Sequence, residues 1–143
     1  HPLVAGTSLV LAGIVVPFDR GLEGHSDGDV ATHAIIDALL GAAALGDIGT
    51  HFKAHDPAMP QGIASITLLE RTASLLEVSG WQVGNVDATI GARLPRLAEH
   101  ITAMRSDISQ ALGTGIESVA NLVVVDDLVE VKPTQVWLVF CGR

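Results

Sequence analysis

The chain is poor in several things, and each shortage excludes something. It has one cysteine, Cys141, so it has no internal disulfide and no multi-cysteine zinc knuckle. Aromatic residues are 3% of its 143 residues and tyrosine is absent, so ring platforms for stacking bases or sugars are not expected. Lys and Arg number 8 against 16 Asp and Glu, a formal net charge of -8. Bulk electrostatics therefore argue against a nucleic-acid partner. A small phosphorylated ligand is still allowed, because local backbone donors or a metal override the global sign. No apolar run is long enough to cross a bilayer; Ala34–Leu45 is interrupted by Asp37. No basic-then-apolar signal segment opens the chain.

What is present is aliphatic. Apolar residues make up 48% of the chain, so an ordered core of Ala, Val, Leu and Ile is expected within a single domain, residues 1–143. Leu9–Ile14 and Val15–Phe18 read as short strands with a bend at Gly13, and Asp19–Gly24 reads as a loop. A nearly all-apolar helix is expected from about Asp29 to Leu45, started by Ser26 or Asp27 and stopped by Gly46. Asp47–Gly62 reads as a loop, and Ser65–Ser79 as a helix. Trp81–Ile90 reads as a strand, Pro95–Leu112 as a helix, and Val119–Val125 and Val136–Cys141 as closing strands. The fold class expected is α/β in two layers, a mixed β-sheet with helices packed on one face.

The chemistry-bearing residues cluster between His25 and Asp47. Asp29, His33 and Asp37 are four apart and share one helix face, which suits either a metal site or a solvated polar stripe. His25 and Ser26 precede the helix, where free backbone amides attract anions; capping alone explains Ser26 but not His25. Asp47 follows a helix C-terminus, an unfavourable place for a carboxylate, which points to ligand binding. His51, His55 and Asp56 suit a second metal site or plain solvation. Arg93 and Arg96 flank Pro95 and either hold phosphate or are ordinary surface charge.

The run His25-Ser26-Asp27-Gly28-Asp29-Val30-Ala31-Thr32-His33-Ala34, continued by Gly41–Gly49, resembles the 2-C-methyl-D-erythritol 2,4-cyclodiphosphate synthase family. The resemblance extends to His1-Pro2-Leu3-Val4, to Gly84-Asn85-Val86-Asp87 and to Arg93-Leu94-Pro95-Arg96-Leu97. It implies a homotrimer with active sites between neighbours, located in the bacterial cytoplasm or, after processing, in a plastid stroma. It implies a cytidine diphosphate substrate that cyclises with release of CMP, with neither nucleic acid nor membrane as partner. His1 and His33 match two of the family's three zinc (Zn2+) ligands. His25 and Ser26 match a phosphate-contacting pair, with His25 also at a position that stabilises the transition state. Asp47, Ile48 and Gly49 match a stretch holding sugar hydroxyls, and Phe52 to Asp56 a further substrate loop. Ala92, Pro95, Arg96 and Leu97 match the cytidine side. Asp127 matches the residue reaching a second ion, magnesium (Mg2+).

Three departures accompany the resemblance. The family's zinc motif is Asp-x-His, and its Asp falls before residue 1. Val123-Val124-Val125-Asp126-Asp127 stands where the family has Thr-Thr-Thr-Glu, followed there by a Gly-rich, Arg-containing loop. Lys53-Ala54-His55 replaces an acidic, Pro-bearing loop. They set up a second expectation beside the synthase: a trimeric scaffold of the same shape that keeps a metal or nucleotide site and does little chemistry.

Overall fold

The computed structural model describes residues 1–125 and 136–137. Two short antiparallel ribbons open the chain. Strand β1 (Leu3–Ala5) pairs with β4 (Arg20–Leu22), and β2 (Leu9–Leu11) pairs with β3 (Ile14–Val16). The turn between β2 and β3 consists of Ala12 and Gly13, with φ of 51° and 82°. A two-residue hairpin loop needs both residues left-handed, which Gly13 does without strain. Arg20–Leu22 is a strand where a loop is expected. The Gly-punctuated sequence hides a segment stabilised by pairing with β1 rather than by its own propensity.

Three longer helices form the second layer: α1 (Val30–Ala42), α3 (Ser65–Val78) and α4 (Ile101–Leu112). A one-turn helix, α2 (Ile48–His51), sits within the expected loop. Helix α1 packs on α3, and α3 on α4. Strand β5 (Val86–Gly91) runs parallel to β6 (Val119–Val125) and antiparallel to β7 (Val136–Trp137), giving a mixed sheet in the order β6-β5-β7. The parallel pair is joined through α4, the crossover that parallel strands require. Helices α1 and α4 lie against this sheet. Ile35, Ile36 and Leu40 of α1, Leu69 of α3, Met104 and Ile108 of α4, and Val86 and Ile90 of β5 are fully buried between the layers. Burying each such side chain contributes roughly 1.5–3 kcal/mol.

Several expected boundaries move. Residues 81–85 are not strand, and the helix expected from Pro95 starts at Ile101 after a 3-10 turn at Ala98–His100. Arg93 and Arg96 therefore lie before that turn and not at a helix start. Helix α1 ends at Ala42 with Ala43 as its C-cap and left-handed Ala44 after it, so Gly46 is not its C-cap. The continuation of the last expected strand past Trp137, and Asp127 with it, lie outside the described residues.

Candidate metal and phosphate site

The first turn of α1 is organised by Asp29. The helix cap is Asp29, not Ser26 or Asp27. Its carboxylate is fully buried and accepts four hydrogen bonds. The donors are Ala12 N at 2.8 Å, Gly13 N at 2.7 Å, Thr32 N at 3.0 Å and Thr32 Oγ1 at 2.6 Å. This carboxylate locks the β2–β3 turn onto the helix start. The Asp29-His33-Asp37 stripe is thus no metal triplet. Asp29 is saturated by backbone and hydroxyl donors, and Asp37 Oδ1 accepts from Ile48 N at 2.8 Å. Gly28, just before the cap, has φ of 75°, and a Cβ there would run into the Leu22 carbonyl. The backbone can make this approach only without a side chain.

His33 lies one turn into α1, and its ring meets that of His1 edge to face with centroids 5.7 Å apart. Two imidazoles on one tetrahedral zinc, at the usual Zn–N length, place their centroids about 5.2 Å apart. Each ring has one nitrogen engaged by protein. His1 Nδ1 lies 2.7 Å from the Glu23 carbonyl oxygen. A carbonyl only accepts, so Nδ1 carries the proton and Nε2 keeps the lone pair. His33 Nε2 lies 2.9 Å from Ser65 Oγ and 3.1 Å from Ser26 Oγ, which leaves Nδ1 outward. Burial holds the His33 ring below the ordinary imidazole value, more than the carboxylates of Asp29, Asp27 and Asp37 raise it. A neutral ring with its far N–H held by protein is the state a divalent metal needs. The donor set fits a metal with two imidazole ligands. No group of three or more His, Cys, Asp or Glu able to hold an ion occurs among the described residues.

His25 and Ser26 come just before the helix, and of the two Ser26 touches His33. His25 is exposed, and its Nε2 donates to the Met59 carbonyl at 3.1 Å, which orients the ring. Ser26 Oγ accepts from Gly28 N at 3.3 Å. Asp47 is not left at a repelling helix end as the sequence suggested. It caps α2, accepting from Thr50 N and Thr50 Oγ1, each at 2.8 Å. The Thr50 hydroxyl, then the Thr50 amide, hold its carboxyl below the usual range. Ile48, hydrogen-bonded to Asp37, keeps Asp47–Gly49 one to two helical turns along α1 from His33. Phe52 is half-buried as the C-cap of α2. His51 Nε2 lies 2.7 Å from the Leu45 carbonyl, and exposed Asp56 accepts from Ala58 N at 2.8 Å. Both serve local backbone, and His51, His55 and Asp56 form no metal site among the described residues.

Ala92 and Pro95 line a different cavity. It is a cleft of about 630 Å³ shared with Leu3, Leu11, Phe18 and Leu22. Arg96 is exposed beside it and Leu97 is buried in the core. The structure therefore brings together His1, Ser26 and His33, turns the His25 ring onto the Met59 carbonyl, and leaves Ala92–Pro95 lining a separate cleft of the same protomer. Sequence reasoning missed Ser65 and gave Asp27 only a capping role. Ser65 is fully buried in the first turn of α3, whose cap is Ala64 with no side-chain bond. The signal available was a serine one place inside a helix start, where its hydroxyl has no capping duty.

A family model described as the YgbB family matches residues 1–126. The 2-C-methyl-D-erythritol 2,4-cyclodiphosphate synthase of Desulfitobacterium hafniense (strain DSM 10664 / DCB-2) is 51% identical over 120 residues, covering 84% of this chain and 75% of the relative. That of Thiobacillus denitrificans is 52% identical over 119 residues, covering 83% and 74%. A solved structure of 2C-methyl-D-erythritol-2,4-cyclodiphosphate synthase in its CDP-bound form superposes with a TM-score of 0.80 at 32% identity, over 87% of this chain and 82% of the other. The synthase from Plasmodium vivax superposes with a TM-score of 0.62 at 26% identity, over 82% and 65%. The fold and a match spanning residues 1–126 agree, and the chain belongs to the YgbB family of 2-C-methyl-D-erythritol 2,4-cyclodiphosphate synthases.

Proposed function

We propose that this chain catalyses the reaction for which its relatives are named. It is a phosphorus–oxygen lyase of the non-mevalonate isoprenoid route. The substrate is 4-diphosphocytidyl-2-C-methylerythritol 2-phosphate. An oxygen of the 2-phosphate attacks the β-phosphorus, the bond from that phosphorus to the α–β bridging oxygen breaks, and CMP leaves with that oxygen. The step needs no water and no redox partner. The observation that carries this reading is the His1–His33 pair with Ser26 against it, in a chain about half identical to these synthases.

The work of the protein is to fold the substrate back on itself and to stabilise spreading negative charge. Zinc, which His1 and His33 would hold, and magnesium, which the resemblance assigns to Asp127, would supply positive charge that polarises phosphoryl oxygens. His25 presents Nδ1 to the phosphates, because Nε2 is held by the Met59 carbonyl. The Ser26 hydroxyl accepts from the Gly28 amide and keeps its own proton for a phosphate oxygen. Asp47, Ile48 and Gly49 take the sugar hydroxyls, with Phe52 and Asp56 on the adjoining loop. Ala92, Pro95, Arg96 and Leu97 take the cytidine.

The last group belongs to a neighbouring copy in this reading, which is a homotrimer with shared sites. Two observations support it. The cytidine-side residues open into a cleft separate from the histidines. Leu3, Phe18 and Leu94 around that cleft are 45%, 36% and 68% exposed, an apolar rim of the kind that marks subunit contacts. A cytoplasmic location accompanies the assignment; no helix among the described residues is long and apolar enough to cross a membrane.

The test is CMP release from the named substrate with Zn2+ and Mg2+ supplied, with His33→Ala as control and sedimentation for the oligomer. CMP from the wild type and none from the control supports the reading. A folded, oligomeric protein that yields no CMP is a scaffold, and the reading fails.

A further inference from the structure

Behind His33 lies a short buried relay. Ser65 Oγ is 2.5 Å from Asp27 Oδ1 and 2.9 Å from His33 Nε2. Ser65 N also donates to Asp27 Oδ2, at 3.0 Å. Ser65 is fully buried. Asp27 is itself fixed, since its Oδ1 also accepts from Asp29 N at 3.2 Å. An ionised carboxylate has only lone pairs to offer, and a serine hydroxyl has one proton. The Ser65 proton must therefore go to Asp27, at the shorter contact. Ser65 then faces His33 with a lone pair alone, and Nε2 of His33 must carry the proton for that contact to be attractive. Nδ1 is left with the metal-binding lone pair.

We infer that Ser65, held by Asp27, is a positioning residue that sets the tautomer and ring orientation of His33 for metal binding. The inference rests on the reading of His33 as a metal ligand. The order of the chain is carboxylate, hydroxyl, imidazole. In a nucleophilic triad the imidazole lies in the middle and takes the serine proton. Here the carboxylate takes it, and the hydroxyl is buried away from any substrate. The same geometry thus excludes Ser65 as a nucleophile and gives it a structural reason to face His33. His1 uses the simpler form of the device, donating directly to the Glu23 carbonyl. Groups that fix ligand histidines in this way typically govern about 10–100-fold in metal affinity.

The first test needs no variant. Long-range proton–nitrogen correlation spectra of the metal-free, 15N-labelled chain report which ring nitrogen of His33 is protonated. Protonated Nε2 is expected; protonated Nδ1 overturns the inference. The second test measures Zn2+ affinity by competition with a chromophoric chelator. Ser65→Ala is expected to lose about 10–100-fold, with Ser65→Thr restoring most of it through its hydroxyl. Ser65→Ala within about twofold of the wild type overturns the inference, while loss of affinity in His33→Ala but not in Ser65→Ala overturns it and spares the metal site. If His33→Ala binds Zn2+ as well as the wild type, the metal reading falls and takes this inference with it. Should either serine variant fail to fold, the wild-type tautomer still decides.

Discussion

Replacing Asp29 with alanine tests the keystone of the site's scaffold. Four hydrogen bonds are lost; the Thr32 hydroxyl can turn back to a carbonyl of the preceding helical turn, and the other three carry the cost. The cap bond to Thr32 N disappears, which in other helices costs about 1 kcal/mol. Ala12 N, in a residue with no solvent exposure, loses its acceptor, at about 2 kcal/mol. Gly13 N is half-buried, and water recovers part of its loss, leaving about 1 kcal/mol. The sum, about 4 kcal/mol, is a large fraction of the roughly 5–15 kcal/mol that holds a domain folded. Asp29→Asn keeps one accepting oxygen and turns an NH2 toward the other donors. Thr32 Oγ1 can rotate to accept from it, but Gly13 N cannot, so about 2 kcal/mol is expected. Urea unfolding followed by circular dichroism measures both, with metal removed and protein concentration fixed, because assembly shifts apparent stability. The midpoint should fall with the slope unchanged. A loss below about 1 kcal/mol for Asp29→Ala, or equal losses for the two variants, would show that the carboxylate does not tie the turn to the helix.

Four further outcomes are expected. Gly28→Ala forces a left-handed alanine against the Leu22 carbonyl, and chemical unfolding should show a loss of about 2–4 kcal/mol, while Gly62→Ala, also left-handed but with open space around it, should lose only about 1 kcal/mol. The Asp47 carboxyl should titrate below a free aspartate in 13C NMR, and Thr50→Val should bring it back up, since the Thr50 hydroxyl is the largest cause of the shift. Because the folded carboxyl is the stronger acid, its cap is fully present above the unfolded value and is lost as pH falls through the folded one. Protection of the α2 amides should therefore fade only in acid. His25→Ala should lower the rate of CMP release by roughly 10²–10³ with Zn2+ affinity unchanged, because the role proposed for His25 is toward the phosphates and not the metal.

The fold was legible where one element satisfies itself. Helix α3 needs only its own apolar spacing, and Ser65–Val78 agrees with expectation to within a residue. The β1–β4 ribbon was not legible, because Arg20–Leu22 has no strand signal until Leu3–Ala5 lies beside it. Likewise the start of α4 depends on how Leu94–Leu97 packs, which periodicity does not report. In the site, His33 and His25 stood out as ionisable groups at an otherwise apolar helix. Ser65 did not, because its partner His33 is 32 residues away and the pairing exists only once α3 lies against α1. Asp47 was misread because helix α2, which it caps, is a single turn without periodic pattern.

The same geometry resolves how a chain of net charge -8 can hold a polyanion. The segment from His25 to Asp47 carries four carboxylates, and an even field of negative charge there would repel phosphate. Each is instead turned onto a backbone amide. Asp27 accepts from Ser65 N and Asp29 N, Asp29 from the hairpin turn, Asp37 from Ile48 N, and Asp47 from Thr50 N. An amide dipole does not cancel a charge, but it fixes where the charge points. In the proposed site, imidazoles and a hydroxyl are left to meet the ligand, with metal ions and Arg96 as the proposed sources of positive charge. A lysine-lined pocket would bind any phosphate. In the proposed reaction the positive charge comes with the ions to the place where two phosphates of one folded-back molecule are joined, so the protein itself needs little of it.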